Sequence, residues 1–533
     1  MKLQKTALMI ILSILSLSLY GSGKIVVNSK TGSTTIRVII PEQLVPIDAM
    51  IYGQMLEDCN DNVIYGGLIK KDGNENLLVS EMLKPLNMPI VRWPAGTYIH
   101  EYDWENGIGP KENRPTIPCV CWGGEDSHLF GTDEFLQWCD KMKTIPYINF
   151  NMSNHPKYAA SLGDALNWIE YVNGSTKTAF GMKRAANGHP EPYHVKHWCI
   201  GNENYGSYGV HKAETAEAYS KKLHEWASCI KQLHPDLHLL GVGHLYDWNQ
   251  TVLEENGKLI DFLTLHYYMK ANIKNDILIN QQQNIFSPAS VEANIQKNAG
   301  LLDQINRQLG RTNNPIRFSI DEWNNRHSVF NGDKFEFTRK DDRRLFDVTT
   351  VAGMLNVFIR QSPAVGMANY IFPINGHGLL KTVGEEDAYK TPVYYVFELY
   401  RQHMIGKKLD LNIEGPGISI PLKDLSVEGD INKEVVSETS SLAFVDGSAV
   451  ITEDGKINVA LVNRSHDKTQ KIKIDLPDDY LPKRIWTLEN DDINAKNTKD
   501  NRINIIPQNK ELSKKISTVS IKPCSFLLIQ YEK

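Results

Sequence analysis

Two glutamates in this sequence each lie just after a short apolar run. Glu203 belongs to the segment Ile-Gly-Asn-Glu-Asn at residues 200–204, and Glu322 to the segment Ile-Asp-Glu-Trp-Asn at residues 320–324. Both runs are rich in branched and aromatic residues, which favour strands, so we expect each glutamate at the C-terminal end of a strand. Two carboxyl groups facing each other across a cleft can hydrolyse a glycosidic bond, one as proton donor and the other as nucleophile or electrostatic stabiliser.

The spacing of the two glutamates indicates what must position them. They are 119 residues apart, and one βα unit of a (β/α)₈ barrel takes roughly 40 residues when its loops are long. About three units therefore separate them, which fits strands four and seven. The alternative, that both are ordinary surface acids, explains a single glutamate well but not two at barrel spacing.

Residues 51–400 alternate short apolar strand candidates with longer segments of helical period, which predicts an α/β (β/α)₈ TIM barrel. Strands are predicted at 89–93, 145–150 and 262–266, and an outer helix at 214–233. The predicted strands end in polar or aromatic residues, as a barrel active site requires. These residues are Arg92, Trp93, Asn149, Asn151, Asn202, Glu203, His266, Tyr268, Glu322 and Trp323.

The sequence changes character after about residue 401. Short alternating strands at 456–462, 469–474 and 525–529 predict an antiparallel β-sandwich over 401–533. Residues 24–50 contain another strand candidate, at 34–40, which we expect to join that sandwich.

Residues 1–23 have the layout of a secretory signal peptide. Lys2 and Lys5 precede an apolar run at 7–20, and the small residues Gly21, Ser22 and Gly23 follow it. A membrane anchor is the alternative, but the run is shorter than the ~20 residues of a spanning helix. The mature chain is therefore expected to begin near Lys24, to be periplasmic or extracellular, and not to insert into a membrane.

The composition excludes several other classes of protein. The chain has 533 residues, of which 41% are apolar and 23% charged, and a net charge of −5, so it is globular and has no basic surface for nucleic acid. Seven scattered cysteines do not form a disulfide scaffold. Cys119 and Cys121 are one residue apart, which is poor spacing for a disulfide or a zinc knuckle, so we expect free thiols. No metal site and no cofactor are expected, because side chains fill the catalytic roles.

Together these segments resemble the glycoside hydrolase family 51 α-L-arabinofuranosidases. The resemblance covers most of the mature chain. It depends on residues 52–57 with 64–67, 92–96, 102–110, 131–135, 198–203, 265–268 and 321–324.

The resemblance implies that Glu203 is the general acid/base and Glu322 the nucleophile. It also implies sugar contacts from Glu57, Trp104 and Asn202. Arg92 and Tyr268 would support the nucleophile, and His266 is added as a substrate-binding residue. The implied substrate is an arabinose-containing oligosaccharide or polysaccharide, and a homo-oligomer is expected because family members are often oligomeric. Physically, Arg92 would keep Glu322 ionised.

Three departures from the family pattern concern the walls of the sugar pocket. Ala95, Gly96 and Thr97 stand where the family has Gly-Gly-Asn. Phe372 falls where the family has a sugar-binding glutamine, and Asp58 follows Glu57 where the family has a histidine. Both catalytic glutamates are intact, so the sugar specificity is left open rather than the reaction.

We therefore expect a retaining, exo-acting α-L-arabinofuranosidase. One alternative is the same mechanism on another furanoside or on a β-1,4-glucan or xylan. An alternative of another class is a non-catalytic carbohydrate-binding protein.

Overall fold

The computed structural model describes residues 23–28, 31–435, 439–477, 479–512 and 518–533. Most of the predicted signal peptide, residues 1–22, lies outside these ranges. Eight parallel strands form a closed barrel, because each pairs with the next and the last pairs with the first. They are β1 (Gly53–Met55), β2 (Ile90–Trp93), β3 (Ile145–Phe150), β4 (His197–Ile200), β5 (His238–Val242), β6 (Phe262–Lys274), β7 (Arg317–Asn331) and β8 (Val365–Tyr370). The predicted (β/α)₈ fold is confirmed.

Helices surround the barrel and bury their apolar faces against it, as expected for parallel strands covered on the outside. They span Leu77–Leu83, Thr132–Met142, Leu162–Asn173, Ala179–Ala186, Ala216–Leu233, Tyr246–Asn256, Gln281–Ile285, Pro288–Gln308, Leu345–Arg360 and Pro392–His403. The helix predicted at 214–233 begins two residues later than predicted, because the Thr215 hydroxyl accepts the backbone N–H of Ala218 and caps it.

Two barrel strands extend well beyond the barrel. β6 and β7 stay paired as far as Ile273 and Val329. Their register shifts between Thr264 and His266, and the register of β7 against β8 shifts between Ile320 and Trp323. Glu322 therefore lies inside a strand, and the prediction that it follows a strand end is wrong. The irregularity redirects side chains just where the barrel rim is reached, which is a common use of β-bulges.

The second domain is built of mainly antiparallel strands. In sheet order they are Gln508–Glu511, Leu481–Leu488, Phe526–Glu532, Ile457–Asn463, Val445–Ile451, Lys407–Gly415, Thr34–Ile39, Gln470–Asp475 and Val519–Ile521. Lys407–Gly415 pairs with Val445–Ile451 near its start and with Thr34–Ile39 near its end, so one long strand joins the two halves of the sandwich. The N-terminal strand thus packs with the C-terminal domain.

Part of the predicted sandwich range 401–533 returns to the barrel. Residues 422–434 cross its rim, where the Glu428 backbone N–H donates to the Tyr268 carbonyl at 2.7 Å. Glu428 also pairs with Arg326 at 2.8 Å. These contacts are with polar residues far away in sequence, and no local pattern encodes them. Within the described residues, no helix has the length and apolar character needed to cross a membrane.

Candidate active site

Glu322 is held by cationic and phenolic donors inside the barrel rim. Its side chain is nearly buried, and its Oε1 accepts a hydrogen bond from Arg92 Nη1 at 2.7 Å. The Tyr268 hydroxyl donates to Oε2. Arg92 is fully buried and also donates from Nη2 to Asn202 Oδ1 at 2.6 Å and from Nε to Asn149 Oδ1 at 3.1 Å. Strands β2, β3, β4 and β7 therefore converge on one guanidinium.

These donors keep Glu322 ionised. Burial alone would raise the pKa of the Glu322 carboxyl, but the charges of His266 and Arg92, with the Tyr268 hydrogen bond, lower it well below its usual value. Arg92 thus lowers the pKa of Glu322, as the sequence analysis predicted. An ionised carboxylate that is shielded from water is suited to nucleophilic attack.

Glu203 lies at the opposite side of the site, in a turn that follows β4. Gly201 has φ +103°, and a Cβ there would lie 2.3 Å from Asn204 Oδ1, so the turn requires glycine. Glu203 itself has φ +44°, a left-handed conformation that is uncommon for this residue type and often found at functional sites. Its Oε1 accepts the Tyr205 hydroxyl at 3.0 Å.

His266 connects the two glutamates. Its Nδ1 lies 2.8 Å from Glu203 Oε1 and 3.5 Å from Glu322 Oε2, while its Nε2 lies 3.1 Å from Asp321 Oδ1. Burial opposes protonation of the ring, but the charges of Glu322 and Asp321 raise the pKa of His266 to about 10. In the free enzyme the imidazolium therefore donates from both nitrogens at neutral pH.

The distance between the two carboxyl groups bears on the stereochemistry. One oxygen of Glu203, one oxygen of Glu322 and one ring nitrogen of His266 all lie within 4.8 Å of one another. Retaining glycosidases place their two carboxyl groups about 5–5.5 Å apart, whereas inverting enzymes need roughly 6.5–9.5 Å to admit a water molecule. Facing oxygens closer than 4.8 Å fit the shorter of these two spacings, that of a retaining pair.

Two predicted sugar contacts border the carboxylates. Asn202 Nδ2 is buried and has no hydrogen-bond partner within the described residues, so it can donate to a substrate hydroxyl. Glu57 is buried after β1 and accepts the backbone N–H of Gly96 at 3.0 Å and that of Tyr98 at 3.4 Å. Burial, reinforced by the charge of Glu322, raises the pKa of Glu57.

The departures at 95–97 lie at this same wall. A Cβ on Gly96 would lie 2.6 Å from Glu322 Oε1, so the close approach of backbone to carboxylate requires glycine here. The Thr97 methyl group approaches Gly209. Phe372, also buried, follows β8 and packs near Gly376.

Trp104, the remaining predicted sugar contact, is located elsewhere. Its ring stacks on Trp168 with centroids 5.8 Å apart. Both rings line a groove of about 540 Å³, together with Glu101, Asn151 and Tyr158. The carboxylate pair does not line this groove, so the structure does not bring Trp104 together with Glu203 and Glu322.

Three residues of the site were missed by sequence reasoning. Tyr205 donates to Glu203, Asp321 binds both His266 and the Tyr147 hydroxyl, and the Arg326 guanidinium lies over the Tyr268 ring at 3.2 Å. Tyr205 and Asp321 are within two residues of a catalytic glutamate, which was a usable signal. No signal in the sequence pointed to Arg326, because its position depends on the extension of β7 beyond the barrel.

A barrel with an ionised, buried glutamate on β7 and a second glutamate after β4 defines a glycoside hydrolase. Comparison with known proteins refines this class. Residues 82–286 match the family model described as "Alpha-L-arabinofuranosidase 1 domain", and residues 321–525 match "Alpha-L-arabinofuranosidase C-terminal domain".

Individual relatives agree with the family models. A probable α-L-arabinofuranosidase C of Aspergillus niger is 32% identical over 82% of this chain and 85% of its own length. The α-L-arabinofuranosidase of Thermotoga maritima, solved as an arabinose complex, superposes with a TM-score of 0.79 at 28% identity, covering 94% of this chain and 99% of its own. The thermostable glycoside hydrolase family 51 enzyme of Thermotoga petrophila gives a TM-score of 0.79 at 28% identity, covering 94% and 100%.

The chain belongs to the glycoside hydrolase family 51 α-L-arabinofuranosidases. It is an enzyme, so the alternative of a non-catalytic carbohydrate-binding protein is set aside.

Proposed function

We propose that this enzyme removes terminal α-L-arabinofuranosyl residues by double displacement. In the first step a Glu322 oxygen attacks the anomeric carbon and forms an ester with it. The bond from that carbon to the leaving oxygen breaks, and Glu203 gives its proton to the leaving oxygen. In the second step Glu203 takes a proton from water, the water oxygen attacks the same carbon, and Glu322 leaves as a carboxylate.

The spacing of Glu203 and Glu322 is the observation that carries this proposal. Facing oxygens within 4.8 Å fit the shorter, retaining spacing rather than the longer one that admits a water molecule. The charges also fit, because Arg92 and protonated His266 keep Glu322 ionised for the attack. The first step requires Glu203 to supply a proton to the leaving oxygen.

Asn202 is proposed to bind the sugar next to the bond that breaks. Its free Nδ2 group is positioned by the Arg92 hydrogen bond to Oδ1. A hydrogen bond from this amide to the sugar 2-hydroxyl would strengthen as the oxocarbenium-like transition state forms.

Exo action is supported by the enclosure of the site. Glu57, Arg92, Asn202 and Glu322 are all at most 5% exposed. A chain end can enter such a pocket, whereas the middle of a polymer needs an open cleft. This favours arabinose-containing oligosaccharides or polysaccharides as substrates over a β-1,4-glucan or xylan backbone.

The test is turnover by the purified chain on nitrophenyl α-L-arabinofuranoside, β-D-galactofuranoside, β-D-xyloside and β-D-glucoside. Activity on the arabinofuranoside alone, lost in Glu322→Ala, is the expected result. Activity on another glycoside only would overturn the sugar assignment. Thr97→Asn and Phe372→Gln restore the family residues and show whether these positions set the preference.

Export is the second part of the proposal. It is supported by the basic, apolar and small segments of residues 1–23. N-terminal sequencing of the protein recovered from the periplasm or medium should begin near Lys24. Recovery of the protein from the cytoplasm with Met1 retained would contradict export.

A further inference from the structure

Three thiols and a carboxylate meet beside the sugar pocket, outside the catalytic machinery. This thiol cluster consists of Cys59, Cys119, Cys121 and Glu101. The sulfurs of Cys119 and Cys121 lie 3.7 Å apart. One Glu101 oxygen and both of these sulfurs lie within 4.8 Å of one another. The Cys59 thiol, 60 positions earlier in the chain, interacts with that of Cys119 but lies outside this 4.8 Å group.

The sulfur separation distinguishes between two uses of such a cluster. A disulfide requires sulfurs about 2.05 Å apart. Two thiolates bound to one tetrahedral zinc ion, each at about 2.3 Å, lie about 3.8 Å apart. The observed 3.7 Å excludes a disulfide and equals the spacing of two thiolates on one zinc ion, which is also that of two hydrogen-bonded thiols.

We propose that the thiol cluster binds one zinc ion through Cys119, Cys121 and Glu101, and that the Cys59 thiol beside Cys119 moves in as the fourth ligand. Three sulfurs and one carboxylate oxygen make a four-ligand set of the kind found in closed structural zinc sites. The expectation of free thiols without a metal, drawn from the Cys119–Cys121 spacing alone, did not include Cys59 and Glu101.

The ligands come from separate segments, and the ion would hold these segments together. Cys59 follows Glu57 in the loop after β1. Cys119 and Cys121 lie in the hairpin whose strands are Ile117–Pro118 and Glu125–Asp126. Glu101 already accepts the backbone N–H of Val120 at 3.0 Å and that of Cys121 at 2.8 Å.

The hairpin reaches the sugar pocket through Trp122, which interacts with the Glu57 carboxyl group. Bound zinc would therefore fix the distance between Glu57 and the hairpin. Substrate binding should depend on it more than the chemical step does, because neither Glu203 nor Glu322 is a ligand.

The test is zinc titration of metal-free, reduced full-length protein, with bound metal measured by mass spectrometry after desalting. One zinc per chain is expected. Cobalt loading should add a sulfur-to-metal charge-transfer band. Cys119→Ser and Cys121→Ser should abolish both signals while circular dichroism stays unchanged. Cys229→Ser is the matched control, because it removes a thiol that is half-buried on the helix Ala216–Leu233.

One further variant locates the metal. Glu203, His266 and Glu322 also have ligand atoms within 4.8 Å of one another. Glu322→Ala should keep its zinc if the thiol cluster is the site, and loss of zinc in this variant would overturn the proposal. Absence of binding, unchanged binding in Cys119→Ser, or a disulfide that forms in air and is reversed by reductant would overturn it equally.

Discussion

The two catalytic glutamates each bring one oxygen within 4.8 Å of the other, but their surroundings differ. Glu322 lies within the extended strand β7, at its register shift, and is held at both oxygens by Arg92 and Tyr268. Glu203 lies in a left-handed turn and is held at one oxygen by His266 and Tyr205. The surroundings of Glu322, on the β7 side of the site, stabilise a fixed negative charge. The surroundings of Glu203, on the β4 side, suit a group that gives and takes a proton. The difference shows how one barrel rim makes two carboxyl groups perform different chemistry.

The largest effect is expected on the β7 side of the site, when the Glu322 carboxylate is removed. Glu322→Ala should lower kcat by about 10⁴-fold or more, because no other group on that side can attack the anomeric carbon. Steady-state kinetics with a nitrophenyl arabinofuranoside measures it. Added azide should restore turnover and give a glycosyl azide of inverted configuration. Residual activity above a hundredth of the wild type would contradict the nucleophilic role.

The next largest effect is expected on the β4 side of the site, when Glu203 can no longer give a proton. Glu203→Gln should slow hydrolysis of an unactivated arabino-oligosaccharide by about 10²- to 10⁴-fold, since the leaving oxygen then receives no proton. The loss of the first step on a nitrophenyl substrate should be smaller, because that leaving group needs little protonation. Equal losses of the first-step rate on both substrates, measured by burst kinetics, would argue against an acid role for Glu203.

Gly96→Ala should disturb the β7 side without removing a functional group. The new Cβ would lie 2.6 Å from Glu322 Oε1, and a displacement of the carboxylate by nearly 1 Å can cost about 10²-fold in kcat/KM. Gly300→Ala is the control, because a Cβ on Gly300 meets no atom within 4 Å. If kcat/KM is equal in both variants, the close approach at Gly96 does not matter for catalysis.

The smallest effect is expected when the Tyr268 hydrogen bond to Glu322 is removed, and it should show in the pH profile. Tyr268→Phe removes a hydrogen bond to a charged group and should lower kcat/KM about 10-fold. Its loss raises the pKa of Glu322, which must be ionised to attack. Activity is present above that pKa and lost as pH falls through it, so the acid limb of the kcat/KM profile should move to higher pH.

Tyr267→Phe is the matched control for this shift. The Tyr267 hydroxyl donates to Asn294 Oδ1 at 2.7 Å, so the same atom is removed from the neighbouring residue of β6. Its pH profile should match that of the wild type. A shift of similar size in both variants would mean that the strand, and not the hydrogen bond, sets the profile.

Much of the β4 side could be predicted from sequence, and less of the β7 side. The apolar run ending at Ile200 and the Gly-Asn-Glu that follows it encode a strand and a turn locally, so Glu203 was placed correctly. The run ending at Ile320 was expected to be a strand that stops before Glu322. In the structure β7 continues to Asn331, because its polar residues pair with the equally extended β6. Such pairing is a long-range contact that local patterning does not encode.

Long-range contacts also explain the other differences. Trp104 has the family's sequence context, yet its position is set by stacking on Trp168, 64 residues later. The spacing of Cys119 and Cys121 gave no indication of Cys59 or Glu101. In each case the local sequence could not show which distant residues lie beside the one that it singled out.

The stereochemistry of the first-formed product tests the central claim most directly. In methanol-containing buffer the glycosyl-enzyme transfers its sugar to methanol, and proton NMR gives the anomeric configuration of the methyl glycoside, which does not mutarotate. The account predicts methyl α-L-arabinofuranoside, with the configuration of the substrate retained. A methyl β-L-arabinofuranoside would contradict it, because inversion requires a water or methanol between the two carboxyl groups and leaves Glu322 no nucleophilic role.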